Sequence, residues 1–156
     1  FFDKEGEYQG YYGKMHLVPF AEVIPGAQYE WVRKLLETNL GFSSGWTPGT
    51  EITLFNVPLK SGSDVTISIP ICFEDAFPMV CRALFRAGSE VFVNITNDSW
   101  SMTNSAEYQH FAIASFRAIE FRTTLIRSTN SGYSVVINPN PVNIGENYTV
   151  TIKVTG

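Results

Sequence analysis

The chain has 156 residues, 44% of them hydrophobic, with 12 Phe, 7 Tyr and 3 Trp; that length and composition suit one globular domain and exclude a disordered chain. The formal net charge of −4 argues against a nucleic-acid partner, whose phosphates select basic faces. No stretch approaches the ~18 consecutive apolar residues of a membrane span, and the opening Phe-Phe-Asp-Lys-Glu-Gly lacks the basic-then-apolar order of a signal peptide. Cys72 and Cys81 are too few for a disulfide framework, and their spacing matches no metal pattern, so neither metal nor cofactor is expected.

Residues 1–9 read as a short hairpin turning at Asp3-Lys4-Glu5-Gly6, and 10–26 as an ordered loop. Residues 27–40 read as a helix with Tyr29, Val32, Leu35, Leu36 and Leu40 on one face. The turn-rich 41–50 follows. Two strands come next, 52–57 and 65–71, joined by a hairpin turn over 59–64. After Cys72 the apolar period becomes helical (Phe77, Val80, Cys81, Leu84, Phe85), with Gly88 as its stop. Residues 90–96 form a buried strand and 97–104 a polar loop holding Trp100. Ser105 is the expected cap of a long helix to about Arg122, with Tyr108, Phe111, Ala112, Ser115, Phe116 and Ile119 along its apolar face. Strands at 124–128 and 133–137 follow, then a Pro/Asn-rich tail and an alternating edge strand at 148–154. Strand–helix–strand–helix–strand order implies an α/β layered fold.

The chemistry concentrates in Ile67-Ser68-Ile69-Pro70-Ile71-Cys72-Phe73-Glu74-Asp75-Ala76-Phe77-Pro78. A buried strand delivers a cysteine to a sharp turn just before a helix, whose N-terminal amides favour thiolate. Glu74 and Asp75 oppose that, so a cation is expected nearby. The alternative is that Cys72 is a buried small hydrophobe, the commoner fate of a lone cysteine. In Tyr12-Gly13-Lys14-Met15-His16-Leu17-Val18-Pro19-Phe20-Ala21-Glu22, the lysine could hold an oxyanion and the glutamate could orient it. Lys and Glu are also the ordinary residues of a solvated surface.

Together these segments resemble one family. Tyr12 to Glu22 fits the Tyr-x-Lys-x-His-Leu-Val-Pro-Phe-x-Glu pattern of apolipoprotein N-acyltransferases, members of the nitrilase (carbon–nitrogen hydrolase) superfamily. Cys72-Phe73-Glu74 resembles that family's nucleophile segment. Asn94 to Trp100, Gln109-His110, Arg117 to Glu120 and Arg127 to Gly132 complete the match. The resemblance implies a nitrilase-like αββα sandwich, of which residues 1–156 are a partial catalytic domain, without the family's membrane helices and first strands.

It implies Cys72 as a nucleophile that takes an acyl chain from phospholipid as a thioester, and a lipoprotein diacylglyceryl-cysteine as acceptor. Lys14, with a backbone N–H near Phe73, would stabilise the oxyanion, while Glu22 and Glu74 would be supporting carboxylates. Phe73, Asn97 and Trp100 are candidate substrate contacts. The family's general base is a glutamate well upstream of the lysine; only 13 residues precede Lys14, and neither Glu5 nor Glu7 is assigned that role. The resemblance also implies a place on the outer, periplasmic face of a bacterial inner membrane. Sheet edges left open by the missing strands imply self-association. Two other functions fit the same residues: a soluble amidase or nitrilase, and a non-catalytic fragment that binds lipid or a partner chain.

Of the remaining residues, His16 reads as a loop hydrogen-bonder and His110 as a satisfied structural histidine. Arg117 and Glu120 read as an i,i+3 ion pair, and Cys81 as a buried structural thiol. Asn97 and Asp98, after a strand end, suit an active-site mouth. Phe42, Trp46 and Trp100 suit either lipid-headgroup contact or ordinary loop packing.

Overall fold

The computed structural model describes residues 1–19, 21–24, 26, 29–40 and 46–138. Five strands form one mixed sheet in sequence order: β1 (Phe55–Pro58), β2 (Asp64–Ser68), β3 (Val91–Thr96), β4 (Thr124–Thr129) and β5 (Val135–Ile137). The outer pairs β1/β2 and β4/β5 are antiparallel, and the inner pairs β2/β3 and β3/β4 are parallel. A parallel pair needs a long crossover. Those crossovers are supplied by α2 (Pro78–Arg86) and α3 (Asn104–Phe121), while α1 (Glu30–Leu40) precedes the sheet. No helix among the described residues is long and apolar enough to cross a membrane.

Alternation along the strands sets one face of the sheet against α2 and α3. Phe92, Asn94 and Thr96 of β3 and Leu125 and Arg127 of β4 are buried, whereas Ile95, Ile126 and Val136 are exposed. Leu84 and Cys81 of α2 and Ala114 and Ala118 of α3 meet Phe92 and Leu125 in the core. Burial of this apolar surface is the main stabilising contribution, at roughly 25 cal/mol per Å².

The helical face expected of α3 is the wrong one. Its buried side is His110, Ala114, Arg117 and Ala118, while Tyr108, Phe116 and Ile119 are all more than half exposed. The alanines let the helix approach the sheet closely, and the two charged residues are buried by pairing, a pattern that a count of large apolar residues does not detect. The cap of α3 is Thr103, whose side chain accepts from the Ala106 N–H, rather than Ser105. Arg122, at φ +50°, ends the helix. In α2, Pro78 opens the helix, where its missing N–H costs nothing, and Gly88 at φ +110° follows the end.

The other sequence expectations differ mostly at their ends. The first helix starts at Glu30 rather than residue 27, and β5 at Val135 rather than Tyr133. Tyr29 and Leu35, assigned to the apolar face of α1, are exposed; the side chains of Leu36 and Leu40 lie outside the described residues. So do Phe42 and everything beyond Asn138, including the expected edge strand at 148–154. The N-terminal hairpin forms as expected, bridged at Phe2 and Tyr8.

Candidate active site

The two parallel pairings bring the C-terminal ends of β2, β3 and β4 to the same edge of the sheet. Ligands of open α/β sheets bind outside such ends. Beyond β2 the chain pairs once more with the β3 backbone, in an isolated parallel bridge between Ile71 and Ile95. It then enters a tight 3-10 turn, Cys72–Ala76. Cys72 sits at the entrance with φ +53°, a left-handed conformation disfavoured for any residue with a Cβ. Its thiol is part-exposed, with Sγ 4.0 Å from the Asn97 carbonyl oxygen at the end of β3.

Glu74, two residues on, is fully buried. Its carboxylate accepts the backbone N–H groups of Ile71 (2.7 Å), Met15 (2.7 Å) and His16 (2.9 Å), and the Tyr12 hydroxyl at 3.1 and 3.2 Å. Burial, and then the Glu74 charge, push the Tyr12 pKa up, so the phenol stays a donor. Glu74, the candidate support for Lys14, meets that loop at the backbone N–H groups of Met15 and His16. A second tie on that loop is the Gly49 N–H to the Lys14 carbonyl at 2.8 Å. The backbones run so close there that a Cβ on Gly49 would collide with the Gly13 carbonyl.

The ammonium group itself belongs to Glu22. Lys14 Nζ lies 2.6 and 2.7 Å from the two Glu22 oxygens, and the Val18 N–H donates to the same carboxylate at 2.9 Å. The 18–23 turn that presents Glu22 closes by donation of the Glu22 N–H to the Val18 carbonyl. Lys14, Glu22 and Cys72 line one cavity of about 620 Å³, walled by Leu17, Trp46, Ile71 and Ile95 and closed by Thr96, Asn97 and Asn130. A smaller hollow of about 120 Å³ meets Cys72, Glu22 and Asn97 as well, with Val18, Ala21 and the exposed Trp100 around it.

Phe73 is not in either. Its ring packs on His110 (centroids 4.8 Å apart) and Phe77, lining a separate hollow with Trp100. The Asn97 side chain is held by the Asn130 amide (2.8 Å) and the Ser99 hydroxyl (2.7 Å). Asn130 also accepts the Asp98 N–H at 3.1 Å, tying the end of β4 to the end of β3.

Behind the Cys72 turn lies a buried ionic cluster that no sequence motif indicates. His110 stands between two carboxylates, with Nε2 2.7 Å from Asp75 and Nδ1 2.7 Å from Asp98. Arg127 donates from Nη2 to Asp98 at 2.8 Å, and its Nε lies 3.5 Å from Asp75. Burial disfavours the imidazolium, but the Asp75 hydrogen bond and charge outweigh it and raise the His110 pKa. Burial likewise opposes ionisation of Asp98, yet its bonds to Arg127 and His110 lower its pKa. Arg127 Nη2 also lies 2.9 Å from His110 Nδ1, so cationic and anionic groups alternate in the cluster, and paired charge of this kind can be tolerated in a buried place. Its one legible signal was Arg127, at a strand position two residues from the core residue Leu125. The Arg117–Glu120 pair is present at 2.8 Å.

The family model for carbon-nitrogen hydrolases matches residues 1–153. The chain belongs to the carbon–nitrogen hydrolase family. Among curated proteins it is 59% identical over 135 residues to apolipoprotein N-acyltransferase 2 of Treponema denticola, which covers 86% of this chain and 26% of that protein. It is 43% identical over 127 residues to the apolipoprotein N-acyltransferase of Borreliella burgdorferi, covering 81% and 23%. The chain thus spans about a quarter of the length of these relatives. Among solved structures, a carbon-nitrogen hydrolase from Helicobacter pylori matches with a TM-score of 0.58 at 19% identity, over 88% of this chain and 48% of the other. That likeness supports the α/β nitrilase-type fold expected from the sequence.

Proposed function

We propose that this chain is catalytic-domain sequence of an apolipoprotein N-acyltransferase, and that Cys72 carries the acyl group. The observation that carries the reading is the shared cavity. A part-exposed thiol on a strained turn and a lysine held by a carboxylate open onto one hollow with apolar walls. Leu17, Trp46, Ile71 and Ile95 offer an alkyl chain a place to lie.

In the first half-reaction the Cys72 sulfur attacks the ester carbonyl of a phospholipid. The oxygen becomes negative as the C–S bond forms, and Lys14 with the Phe73 N–H stabilises it. Collapse breaks the ester C–O bond, leaving an acyl thioester on Cys72 and a lysophospholipid that takes up a proton. In the second, the α-amino group of a lipoprotein's diacylglyceryl-cysteine attacks the thioester, an amide forms, and Cys72 recovers its proton. Thioesters are activated toward amines, so two easier steps replace one hard one. The general base is, by family resemblance, a glutamate N-terminal to Lys14; Glu5 and Glu7 lie exposed in the hairpin and are not assigned to it.

Glu22 fixes Lys14, and Glu74 fixes the two loops against each other. Asn97 and Trp100 border the thiol, on the side where a leaving group or acceptor would approach. A bacterial membrane setting, on the periplasmic face, is part of the same proposal, because the acyl donor is a phospholipid. Donor choice tests the reading. The protein should acylate a diacylglyceryl-cysteine peptide from phosphatidylethanolamine and leave small soluble amides intact. Amide hydrolysis without acyl transfer would make it an amidase instead.

A further inference from the structure

Asn94 occupies the helix-facing side of β3 and is fully buried. Its Nδ2 donates to the Pro70 carbonyl at 3.0 Å and to the Cys72 carbonyl at 2.9 Å. Both partners are carbonyls, so the amide can face them only with its NH₂ group, and both of its hydrogens are spent. The other end of the amide, Oδ1, is buried with no partner. A buried acceptor left unpaired is destabilising. Leucine or valine would fill the strand without that cost, so the position is explained by what the two donors hold.

They hold the nucleophile turn. Pro70 and Cys72 flank Ile71, and bridging their carbonyls fixes the backbone where it enters the left-handed conformation of Cys72. The peptide joining Cys72 to Phe73 is trans and planar, so its C=O and N–H point in opposite directions as one rigid unit. With the carbonyl turned inward to Asn94, the Phe73 N–H is turned away from it. No group among the described residues accepts a hydrogen bond from that N–H.

We propose that Asn94 is a positioning residue for acylation: by holding the Cys72 carbonyl it aims the Phe73 N–H at the oxygen that becomes negative when the thiol adds to an ester. This rests on Cys72 being the nucleophile, as proposed above. Asn94 touches neither acyl group nor thiol and acts through one peptide plane.

The test compares two reactions of the same sulfur in the full-length protein. With p-nitrophenyl butyrate, the C–S bond forms, the ester C–O bond breaks and p-nitrophenolate is released, through an intermediate that needs the oxyanion donors. With iodoacetamide, sulfur displaces iodide and no oxyanion forms. Asn94→Leu should lower the ratio of acylation to alkylation by about tenfold or more, as expected when a donor is misaimed. Asn94→Thr, which retains one donor, should lower it less. A merely structural role would slow both reactions through loss of folded protein and leave the ratio unchanged; that result, or no effect, overturns the proposal. Should Asn94→Leu fail to fold, the ratio in Asn94→Thr decides in the same way. If the wild-type protein releases no nitrophenolate yet is alkylated at Cys72, the nucleophile reading fails first and takes this one with it.

Discussion

Glu74 accepts the backbone N–H of Met15 at 2.7 Å, and Met15 is the residue that follows Lys14. The same carboxylate accepts the N–H of Ile71, which precedes Cys72. A single buried side chain therefore sets the cation-bearing loop and the thiol-bearing turn in one frame, although they are 58 residues apart in sequence (72 − 14). Glu22 acts on Lys14 directly and near the surface. The two glutamates should fail differently when changed.

Glu74→Ala leaves three backbone donors and a phenol to find new partners in a buried place. It should cost about 3 kcal/mol or more of stability, since unpaired buried groups cost roughly 1–3 kcal/mol each. Glu22→Gln should cost no more than about 1 kcal/mol, the range for a partly exposed ion pair, while lowering the acyl-transfer rate. Denaturant titrations alongside activity measurements check both. Equal stability losses would mean that the division of roles is wrong.

The buried cluster should make stability depend on pH from both sides. His110 has a raised pKa in the folded protein, so its contribution is complete below the unfolded value near 6.5 and is lost as pH rises through the raised value. Asp98 has a lowered pKa, so its contribution is complete above 3.8 and is lost as pH falls through the depressed value. His110→Gln should abolish the alkaline loss and cost roughly 3–5 kcal/mol near neutrality, as when one partner of a buried pair is removed. Unfolding free energies measured across pH for both proteins provide the comparison. An alkaline loss that persists in the variant would place its origin elsewhere.

The two thiols should separate cleanly. Burial, then the nearby Asp75 charge, pushes Cys81 up to about 12, and it is fully enclosed. Cys72 is part-exposed. Iodoacetamide should therefore modify one cysteine in the folded protein and two after denaturation, and peptide mapping should put the first at Cys72. Rapid labelling of Cys81 in the folded state would contradict the packing of α2.

Gly49→Ala tests the tie on the Lys14 loop. A methyl group would collide with the Gly13 carbonyl, forcing the backbones apart at a cost of about 1–3 kcal/mol. Activity should fall with stability, because the displaced loop carries Lys14. Full activity with a small change in melting temperature would show that the loop can yield there without moving the lysine.

Much of this was legible from residue order alone. The period change at Cys72, the apolar run at 90–96 and the Gly-rich turns set the element types, because such patterns reflect local backbone and burial preferences. The Cys72 turn and the Lys14–Glu22 loop were legible as motifs. The buried face of α3 was not, since two alanines and two paired charges line it in place of large apolar groups. Nor were the partners of His110: Asp75, Asp98 and Arg127 come from three other segments, which the parallel pairings of β2, β3 and β4 bring to one end of the sheet. Asn94 was hidden for a similar reason, as its importance lies in two backbone carbonyls that no side-chain motif encodes.

The most direct test of Cys72 as the acyl carrier is intact mass after incubation with phosphatidylethanolamine in detergent, comparing the full-length protein with its Cys72→Ala variant. The expected result is a mass increase of one fatty acyl group, removed by hydroxylamine and absent from the variant. An adduct that survives Cys72→Ala, or no adduct in a protein that still transfers acyl chains, would contradict it.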